Sequence, residues 1–218
     1  MVKDADNIRL GVIGMTEGNG HPYSWSAILN GYDRARMTAE CPFPGIPGYL
    51  NLQPPEAFGI ADARVTHVFC DARSDAEHVA ALSLIPHIAE TPEAMIGAVD
   101  AVLIATDIGG EHVRRARPFV EAGVPLFIDK PLCDTTADLE QFQRWVADGA
   151  AIMSSSSTRY AAEYASYQAP NAPLGAWRFI AMPMAKKWET YGIHALEAVF
   201  SITGPGYVSV RNTGTAAR

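Results

Sequence analysis

The stretch that decides the fold runs from Val99 to Pro131 and reads VDAVLIATDIGGEHVRRARPFVEAGVPLFIDKP. Its pattern predicts a strand, a loop, a helix that stops at Gly123, and a second strand that ends in Asp129-Lys130-Pro131. In an open parallel sheet, ligands bind beyond the carboxyl ends of the strands. Lys130 is therefore expected where such proteins do their chemistry, beside a proline that fixes the following backbone. A surface lysine at a strand end is the plainer alternative.

The same alternation of strands and helices continues on both sides of this stretch. Strands are predicted over Ile8–Gly14, Val65–Cys70, Val99–Thr106, Val124–Asp129 and Ala150–Ser154. Helices are predicted over Ser24–Tyr32 and over Glu111–Ala122, the latter with a kink or early end at Pro118. A capping box of Ser74 and Glu77 opens another helix, and Thr91-Pro92 starts a short one. A further helix, with Leu139, Phe142, Trp145 and Val146 on its apolar face, is predicted to end at Gly149. Residues 41–59 hold five prolines and three glycines and predict an ordered loop insertion. The pattern indicates an α/β fold with a doubly wound parallel sheet.

The pattern changes after about residue 150, which we take as the end of the first domain. Residues 151–218 predict a strand over Gly175–Met182, a helix over His194–Phe200 and a strand over Tyr207–Val210, an abbreviated α/β domain. A sheet of one or two strands leaves unpaired edges and an uncovered apolar face. We therefore expect a homo-oligomer formed through this second domain, with Trp177, Phe179 and Ile180 near the contact.

Composition excludes several classes of function. The 218 residues are 48% hydrophobic and 19% charged, as in an ordinary globular protein, and the net charge of −7 argues against a nucleic-acid partner. The cysteines Cys41, Cys70 and Cys133 are odd in number and lack metal-ligand spacing, so we expect no metal and a reducing cytoplasm. No apolar run approaches the roughly 20 residues that span a bilayer, so no membrane partner is expected.

A glycine-containing loop, GVIGMTEGNGHPYSW, follows the first predicted strand at residues 11–25. Gly14, Gly18 and Gly20 offer the flexibility that lets a backbone approach a pyrophosphate at a helix start. Their spacing is not G-x-G-x-x-G, and Thr16 stands where the second glycine would be, so a plain strand-to-helix turn is the alternative. Asp71 ends the second strand, where an acid binds ribose hydroxyls.

Three histidines are candidates for chemistry, and each has a plainer structural alternative. His194, in YGIHALEAV, begins a predicted amphipathic helix. His112 can cap its own helix as readily as contact a ligand, and the pattern alone assigns nothing to His21. The serine run at residues 154–157 favours a solvated strand end over a binding site.

Taken together, these pieces resemble the glucose–fructose oxidoreductase, inositol dehydrogenase and rhizopine-catabolism family, from about Ile8 to Gly206. The shared pieces are VIG-loop-helix, a strand ending in Asp71, VDAVLIAT followed by His112, EAGVPLFIDKPL, and a histidine followed by a helix and Gly204. Family members usually carry a larger second domain with an open, mostly antiparallel sheet. This chain is then a short form, a fragment, or one that borrows the missing surface from another subunit.

The resemblance implies roles for individual residues. The family's Glu-Lys-Pro signature appears as Asp129-Lys130-Pro131, and Lys130 is similar to the family lysine between nicotinamide and the substrate hydroxyl. His194 is similar to the catalytic histidine that relays or accepts the proton. The family usually has an aspartate four residues before that histidine, where this chain has Thr190 with Glu189 beside it.

The resemblance also implies a binding site and an activity. The residues expected at the cofactor are Gly14, Thr16, Gly18, Gly20, His21, Asp71, Arg73, Thr106, Asp107, His112, Asp129 and Lys130. The candidates for substrate contacts are Arg159, Tyr160, Lys187, Trp188, Tyr191 and His194. The expected reaction is NAD(P)-linked hydride transfer to or from a sugar, polyol or related hydroxy compound. Asp71 favours NAD because a carboxylate repels a 2′-phosphate, while Arg73 keeps NADP open. The alternative is a non-redox enzyme, or a ligand-binding or regulatory module, on the same fold.

Overall fold

A computed structural model describes residue 4 and residues 6–167, 175, 177–184 and 187–214. The chain separates into two compact units, Met1–Ser155 and Ser156–Arg218. Within the described residues, no helix is both long and apolar enough to cross a membrane.

The first unit is built on a six-stranded parallel sheet. Its strands are β1 (Ile8–Ile13), β2 (Ala63–Phe69), β3 (His87–Ile88), β4 (Ala101–Ile104), β5 (Leu126–Ile128) and β6 (Ile152–Met153). They lie in the order β3-β2-β1-β4-β5-β6, so the direction of winding reverses between β1 and β4. The doubly wound α/β fold is thereby confirmed. The two-residue β3 was not predicted, because it is too short to show a period.

Helices cover both faces of this sheet. In the first unit they are α1 (His21–Asn30), α2 (Arg34–Glu40), α3 (Gly45–Leu50), α4 (Arg73–Leu82), α5 (Gly109–Glu121) and α6 (Thr136–Ala147). Successive β1 side chains serve opposite faces: Val12 joins a core with Tyr23, and Ile13 joins one with Phe119. The helix α5 continues three residues past Pro118, so the expected early end is wrong. Buried Cys70 belongs to the core, and burial raises the pKa of its thiol to about 12.

The proline-rich segment is more regular than its composition predicts. It contains α3 and a 3-10 helix, Pro55–Ala57. Ile46 and Leu50 lie one turn apart on α3 and are both buried, which supplies the apolar contact that holds this short helix. Pro47 falls in the first turn, where its missing N–H is no loss. The expectation of an irregular loop is therefore wrong for this part.

The predicted capping box at Ser74 is also wrong. The helix α4 begins one residue earlier, at Arg73, and its N-cap Ala72 has no side-chain cap. The Glu77 carboxylate accepts a hydrogen bond from Arg73 Nε at 3.0 Å, so it is engaged along the helix instead of turning back to a cap. Thr91, by contrast, caps the 3-10 helix Pro92–Met95, where a short helix was predicted.

The second unit holds α7 (Trp188–Thr203) and two 3-10 helices, Ser157–Tyr160 and Ala162–Tyr167. None of its described residues lies in a strand, so the strands predicted over Gly175–Met182 and Tyr207–Val210 are wrong where the structure describes them; Ala176 lies outside the described residues. Phe179 is 82% exposed and Val208 is 98% exposed. Strand-like sequences form strands only where a neighbouring strand pairs with them and covers one face.

Candidate active site

The candidate site lies at the carboxyl edge of the sheet, where the winding reverses. The loops that follow β1, β4 and β5 carry Thr16, Asp107 and Lys130. Parallel strands point their carboxyl ends to one edge, so residues from distant parts of the sequence meet there. This is the position that the sequence predicts for Lys130.

Lys130 is buried between two carboxylates. Its Nζ lies 3.8 Å from Asp107 Oδ2 and 3.9 Å from Asp129 Oδ2, and the residue is 5% exposed. Thr16 donates its hydroxyl hydrogen to Asp107 Oδ1 at 2.7 Å. The sheet therefore brings four of the predicted residues together, with Asp107 and Asp129 beside the Lys130 ammonium group, and the alternative of a surface lysine is wrong.

Asp129 is the most heavily bonded group of this cluster. Its Oδ1 accepts a hydrogen bond from its neighbour's backbone, Lys130 N, at 2.7 Å. Its Oδ2 accepts from Asn19 Nδ2 at 3.2 Å and from His21 Nδ1 at 2.5 Å. A carboxylate only accepts, so His21 carries its hydrogen on Nδ1. The sequence analysis did not predict Asn19 as a site residue. Its position between Gly18 and Gly20 is the one sequence signal that could have indicated it.

The start of α1 is capped from within the chain. His21 N donates to Asn19 Oδ1 at 2.9 Å, Pro22 has no N–H, and the next two amides both donate to Gly20 O. The His21 and Tyr23 amides are among those that a phosphate at a helix start usually engages, whereas the Ser24 amide makes the first ordinary helix bond. The expected pyrophosphate cradle at this helix therefore differs from the usual one.

Two glycines of the loop after β1, Gly14 and Gly18, are needed for different structural reasons. Gly18 has a φ of +80° in the turn from Thr16 to Asn19, a conformation that other residues rarely adopt, and nothing lies within 4 Å of a Cβ built there. A Cβ at Gly14 would lie 2.2 Å from Pro22 Cγ. Gly14 is thus required by packing of β1 against α1, whereas Gly18 leaves open space beside the loop.

Asp71 follows β2 and is held by an arginine that the sequence did not single out. Arg115 Nη1 and Nη2 donate to its two carboxylate oxygens at 3.1 Å and 2.5 Å. Hydrogen bonding to Arg115 lowers the pKa of Asp71. The Asp71 side chain is still 61% exposed. Arg73 pairs with Glu77 and Glu90.

His112 is fully buried and bonds two loops together. Its Nδ1 lies 3.0 Å from Leu132 O, and its Nε2 lies 2.9 Å from Thr106 O and 3.2 Å from Thr106 Oγ1. A Cβ at Gly109 would lie 2.8 Å from the Cys133 carbonyl carbon, so the start of α5 also packs tightly on the loop after β5. His112 was expected at the cofactor, but its ring is fully buried and has no exposed surface that a cofactor could contact, so that expectation is wrong. The ring instead connects the loops that carry Asp107 and Lys130.

The second unit places His194 beside a cavity of about 340 Å³. The cavity is lined by Thr158, Tyr164, Met182, Pro183, Met184, Tyr191, His194, Ala195 and Ala198. His194 Nδ1 lies 2.6 Å from Ser156 Oγ, and Tyr191 packs against the imidazole with ring centroids 5.2 Å apart. Ser156 is buried, so the solvated end expected for the serine run is wrong at this residue.

The other substrate candidates have different surroundings. Arg159 pairs with buried Glu197 and covers the Phe200 ring, which gives it a structural role in this unit. Tyr160, Lys187 and Trp188 are exposed. Glu189 and Thr190 lie in the first turn of α7, and Glu189 is exposed. Of the six candidates, Tyr191 and His194 line the cavity.

Comparison with known proteins adds a family. Residues 8–156 match the Gfo/Idh/MocA family, an oxidoreductase family with an NAD-binding Rossmann fold. No curated protein matches the sequence.

Solved structures with a similar fold include three inositol dehydrogenases. The myo-inositol 2-dehydrogenase of Lactobacillus plantarum has a TM-score of 0.51 at 14% identity, over 72% of this chain and 39% of that one. A putative myo-inositol dehydrogenase of Sinorhizobium meliloti has a TM-score of 0.48 at 20% identity, over 75% of this chain and 38% of that one. The scyllo-inositol dehydrogenase of Lactobacillus casei with bound NAD(H) and scyllo-inositol has a TM-score of 0.46 at 15% identity, over 71% of this chain and 37% of that one. This chain spans less than two fifths of the length of these structures. The family match covers the whole sheet and its carboxyl edge, and by it the chain belongs to the Gfo/Idh/MocA oxidoreductase family.

Proposed function

We propose that this protein is an NAD-dependent oxidoreductase that acts on the CH–OH group of a sugar, a polyol or a related small hydroxy compound. The observation that carries the proposal is buried Lys130, held by Asp107 and Asp129 at the point where the sheet reverses. A charged amine in that position can contact a substrate oxygen beyond the strand ends.

The residues at this edge fit a dinucleotide. Gly18 gives the loop after β1 an open approach, and the exposed Asp71 carboxylate can accept hydrogen bonds from ribose hydroxyls. Thr16 and Asp107 lie beside Lys130, at the edge where a nicotinamide is expected. We therefore propose NAD as the cofactor, with NADP bound less tightly because Asp71 repels a 2′-phosphate.

The residues of the chain handle the proton. NAD, when bound, supplies the hydride acceptor. Lys130 donates a hydrogen bond to the substrate oxygen and stabilises the negative charge that develops as the hydroxyl proton leaves. Asp107 and Asp129 hold the ammonium in place. From its similarity to the family histidine, we propose His194 as the general base of the reaction.

Two measurements test this proposal. Titration of the purified protein with NADH, followed by nicotinamide fluorescence, should show saturable binding. A panel of inositols, sugars and sugar acids with NAD should then give reduced nicotinamide for at least one compound. Binding without turnover of any compound in a broad panel, at several pH values, would contradict the proposal.

A second candidate function is a non-redox role on the same fold. The capped start of α1 favours it, because two amides that usually hold a phosphate, those of His21 and Tyr23, are engaged by Asn19 and Gly20. Thr190 at the position of the family's aspartate favours it too. If a sugar or polyol binds, by calorimetry, to a protein that does not bind NADH, this second function is the correct one.

The proposed assembly is a homo-oligomer formed through the second unit. Phe179, Trp188 and Val208 are all more than half exposed, and exposed apolar surface of this kind favours association. Light scattering should give a multiple of the chain mass. A single-chain mass at every concentration would contradict this assembly.

A further inference from the structure

We propose that Ser156 is the positioning residue of His194: together with Thr158 it fixes the imidazole hydrogen on Nδ1 and leaves the lone pair on Nε2. This role rests on the proposed function of His194 as the general base. The carrying observation is a closed ring of hydrogen bonds within the second unit. It joins Ser156 and Thr158, at the 3-10 helix Ser157–Tyr160, to His194 on α7.

The distances define this ring of bonds. His194 Nδ1 lies 2.6 Å from Ser156 Oγ, Ser156 Oγ lies 2.7 Å from Thr158 Oγ1, and Thr158 Oγ1 lies 2.8 Å from the carbonyl oxygen of His194. The backbone amide of Thr158 also donates to Ser156 Oγ, at 3.2 Å. The ring thus begins and ends on the same histidine.

Counting hydrogens gives each bond a direction. A carbonyl oxygen only accepts, so the Thr158 hydroxyl donates its one hydrogen to His194 O. The contact between the two hydroxyls then needs the hydrogen of Ser156, which donates to Thr158 Oγ1. The Ser156 hydrogen is used there, so the bond to the imidazole needs a hydrogen from His194 Nδ1. Each of these three contacts then holds one hydrogen, and no other arrangement of hydrogens satisfies these three contacts.

The neutral imidazole is therefore the tautomer in which Nε2 is the acceptor. A group hydrogen-bonded to one ring nitrogen decides which nitrogen is available for chemistry, and in other proteins a carboxylate often serves as that group. Here Thr190 stands where the family usually has an aspartate, and Glu189 is exposed in the first turn of α7. The Ser156 and Thr158 hydroxyls supply this orientation instead. Ser156 is 1% exposed, which keeps water from competing for its hydrogen bonds.

The test reads the tautomer directly. Long-range ¹⁵N–¹H correlation spectra of the full-length protein, at a pH where the ring is neutral, should show His194 with its hydrogen on Nδ1. In Ser156→Ala the preference for Nδ1 should be lost. In Thr158→Val it should weaken, because the Ser156 hydrogen is released from its acceptor. Ser157→Ala, at the exposed neighbouring serine, should leave the spectrum unchanged.

A kinetic readout accompanies the spectra. If His194 is the base, Ser156→Ala should lower kcat about 10- to 100-fold with little change in KM, and Ser156→Thr should restore most of the loss because it keeps the hydroxyl. A wild-type ring with its hydrogen on Nε2, or a tautomer indifferent to Ser156→Ala, overturns the proposal. An Nδ1 hydrogen that depends on Ser156, in a protein that oxidises no hydroxy compound, would instead overturn the proposed function and leave the positioning role standing.

Discussion

The two units of this chain hold their candidate functional side chains in different ways. In the first, Asp129 is bonded to Asn19 and His21, which lie 110 and 108 residues away in the sequence, and the parallel sheet brings these positions together. In the second, His194 is held by hydroxyls from a single 3-10 turn, and no described strand takes part. The order of the strands brings residues to one edge of the sheet independently of their side-chain contacts. A network of hydroxyl hydrogen bonds, by contrast, forms only if every side chain in it adopts the right rotamer. The first arrangement is therefore the more robust one, and substitutions can measure the difference.

The largest expected effect is on turnover. In the proposed function Lys130 is the group that contacts the reacting oxygen, so in Lys130→Met the rate should fall by roughly 10²- to 10⁴-fold, the usual contribution of an acid–base group. NADH affinity should change little, because the proposed contacts of NADH are mostly with the glycine loop and Asp71. Steady-state kinetics and nicotinamide fluorescence measure the two quantities. Full activity in Lys130→Met, or complete loss of NADH binding, would show that the assigned role is wrong.

His194→Ala tests the same chemistry from the second unit. It should lose a similar factor in rate, and the double variant should lose less than the product of the two single losses. Residues that act on one proton as a unit are not additive. Multiplicative losses would instead mean that Lys130 and His194 act in separate steps.

The next effect is on stability, and it compares the two networks. Asp129→Asn removes a buried charge that accepts three hydrogen bonds, so the free energy of unfolding should fall by about 2–3 kcal/mol. Ser156→Ala should cost only about 1 kcal/mol, because neutral hydroxyl bonds contribute less. Urea unfolding measures both. Asp62→Asn, at an exposed loop position, is the matched control and should be within about 0.5 kcal/mol of wild type.

Cofactor choice should show a smaller change. If Asp71 repels a 2′-phosphate as proposed, Asp71→Ala should lower the preference for NADH over NADPH by about tenfold, which corresponds to roughly 1.4 kcal/mol. Arg73→Ala is the control: that guanidinium already pairs with Glu77 and Glu90, and the preference should stay the same. Parallel titrations of wild type and both variants with NADH and with NADPH measure this preference as a ratio of dissociation constants. An unchanged preference in Asp71→Ala would remove Asp71 from the site.

The smallest effect is a pH dependence. The pKa of Asp71 is lowered, chiefly by its hydrogen bonds to Arg115. A lowered pKa in the folded state stabilises the protein above the unfolded pKa of about 3.9, and this stabilisation is lost as the pH falls through the folded value. Wild type should therefore melt above Asp71→Asn at neutral pH, and the two should converge in acid. A difference in Tm that persists at low pH would assign the effect to packing.

The sequence predicted the part of the molecule that strand topology determines. Five of the six strands, and the place of Lys130 at the carboxyl edge, follow from apolar runs and from the rule that ligands bind beyond the strand ends. Asn19 could not be predicted, because its three side-chain hydrogen bonds depend on how one turn folds back over the sheet edge. Ser156 could not be separated from its exposed neighbour Ser157, since burial of a single serine leaves no trace in composition. The strands predicted in the second unit were wrong because a strand forms only where a neighbouring strand pairs with it, and the local sequence does not show whether such a neighbour exists.

His112 has a consequence for ligand affinity. Since it joins Thr106 to Leu132, the loops that carry Asp107 and Lys130 cannot separate without breaking contacts to a fully buried ring. A ligand that arrives at this edge then meets groups that are already ordered, and binding there costs little conformational entropy. If the His112 hydrogen bonds to Thr106 and Leu132 were lost, each ligand of this edge would have to order the two loops when it binds. The affinity for every such ligand would then fall by the same factor, whatever the chemistry of the ligand.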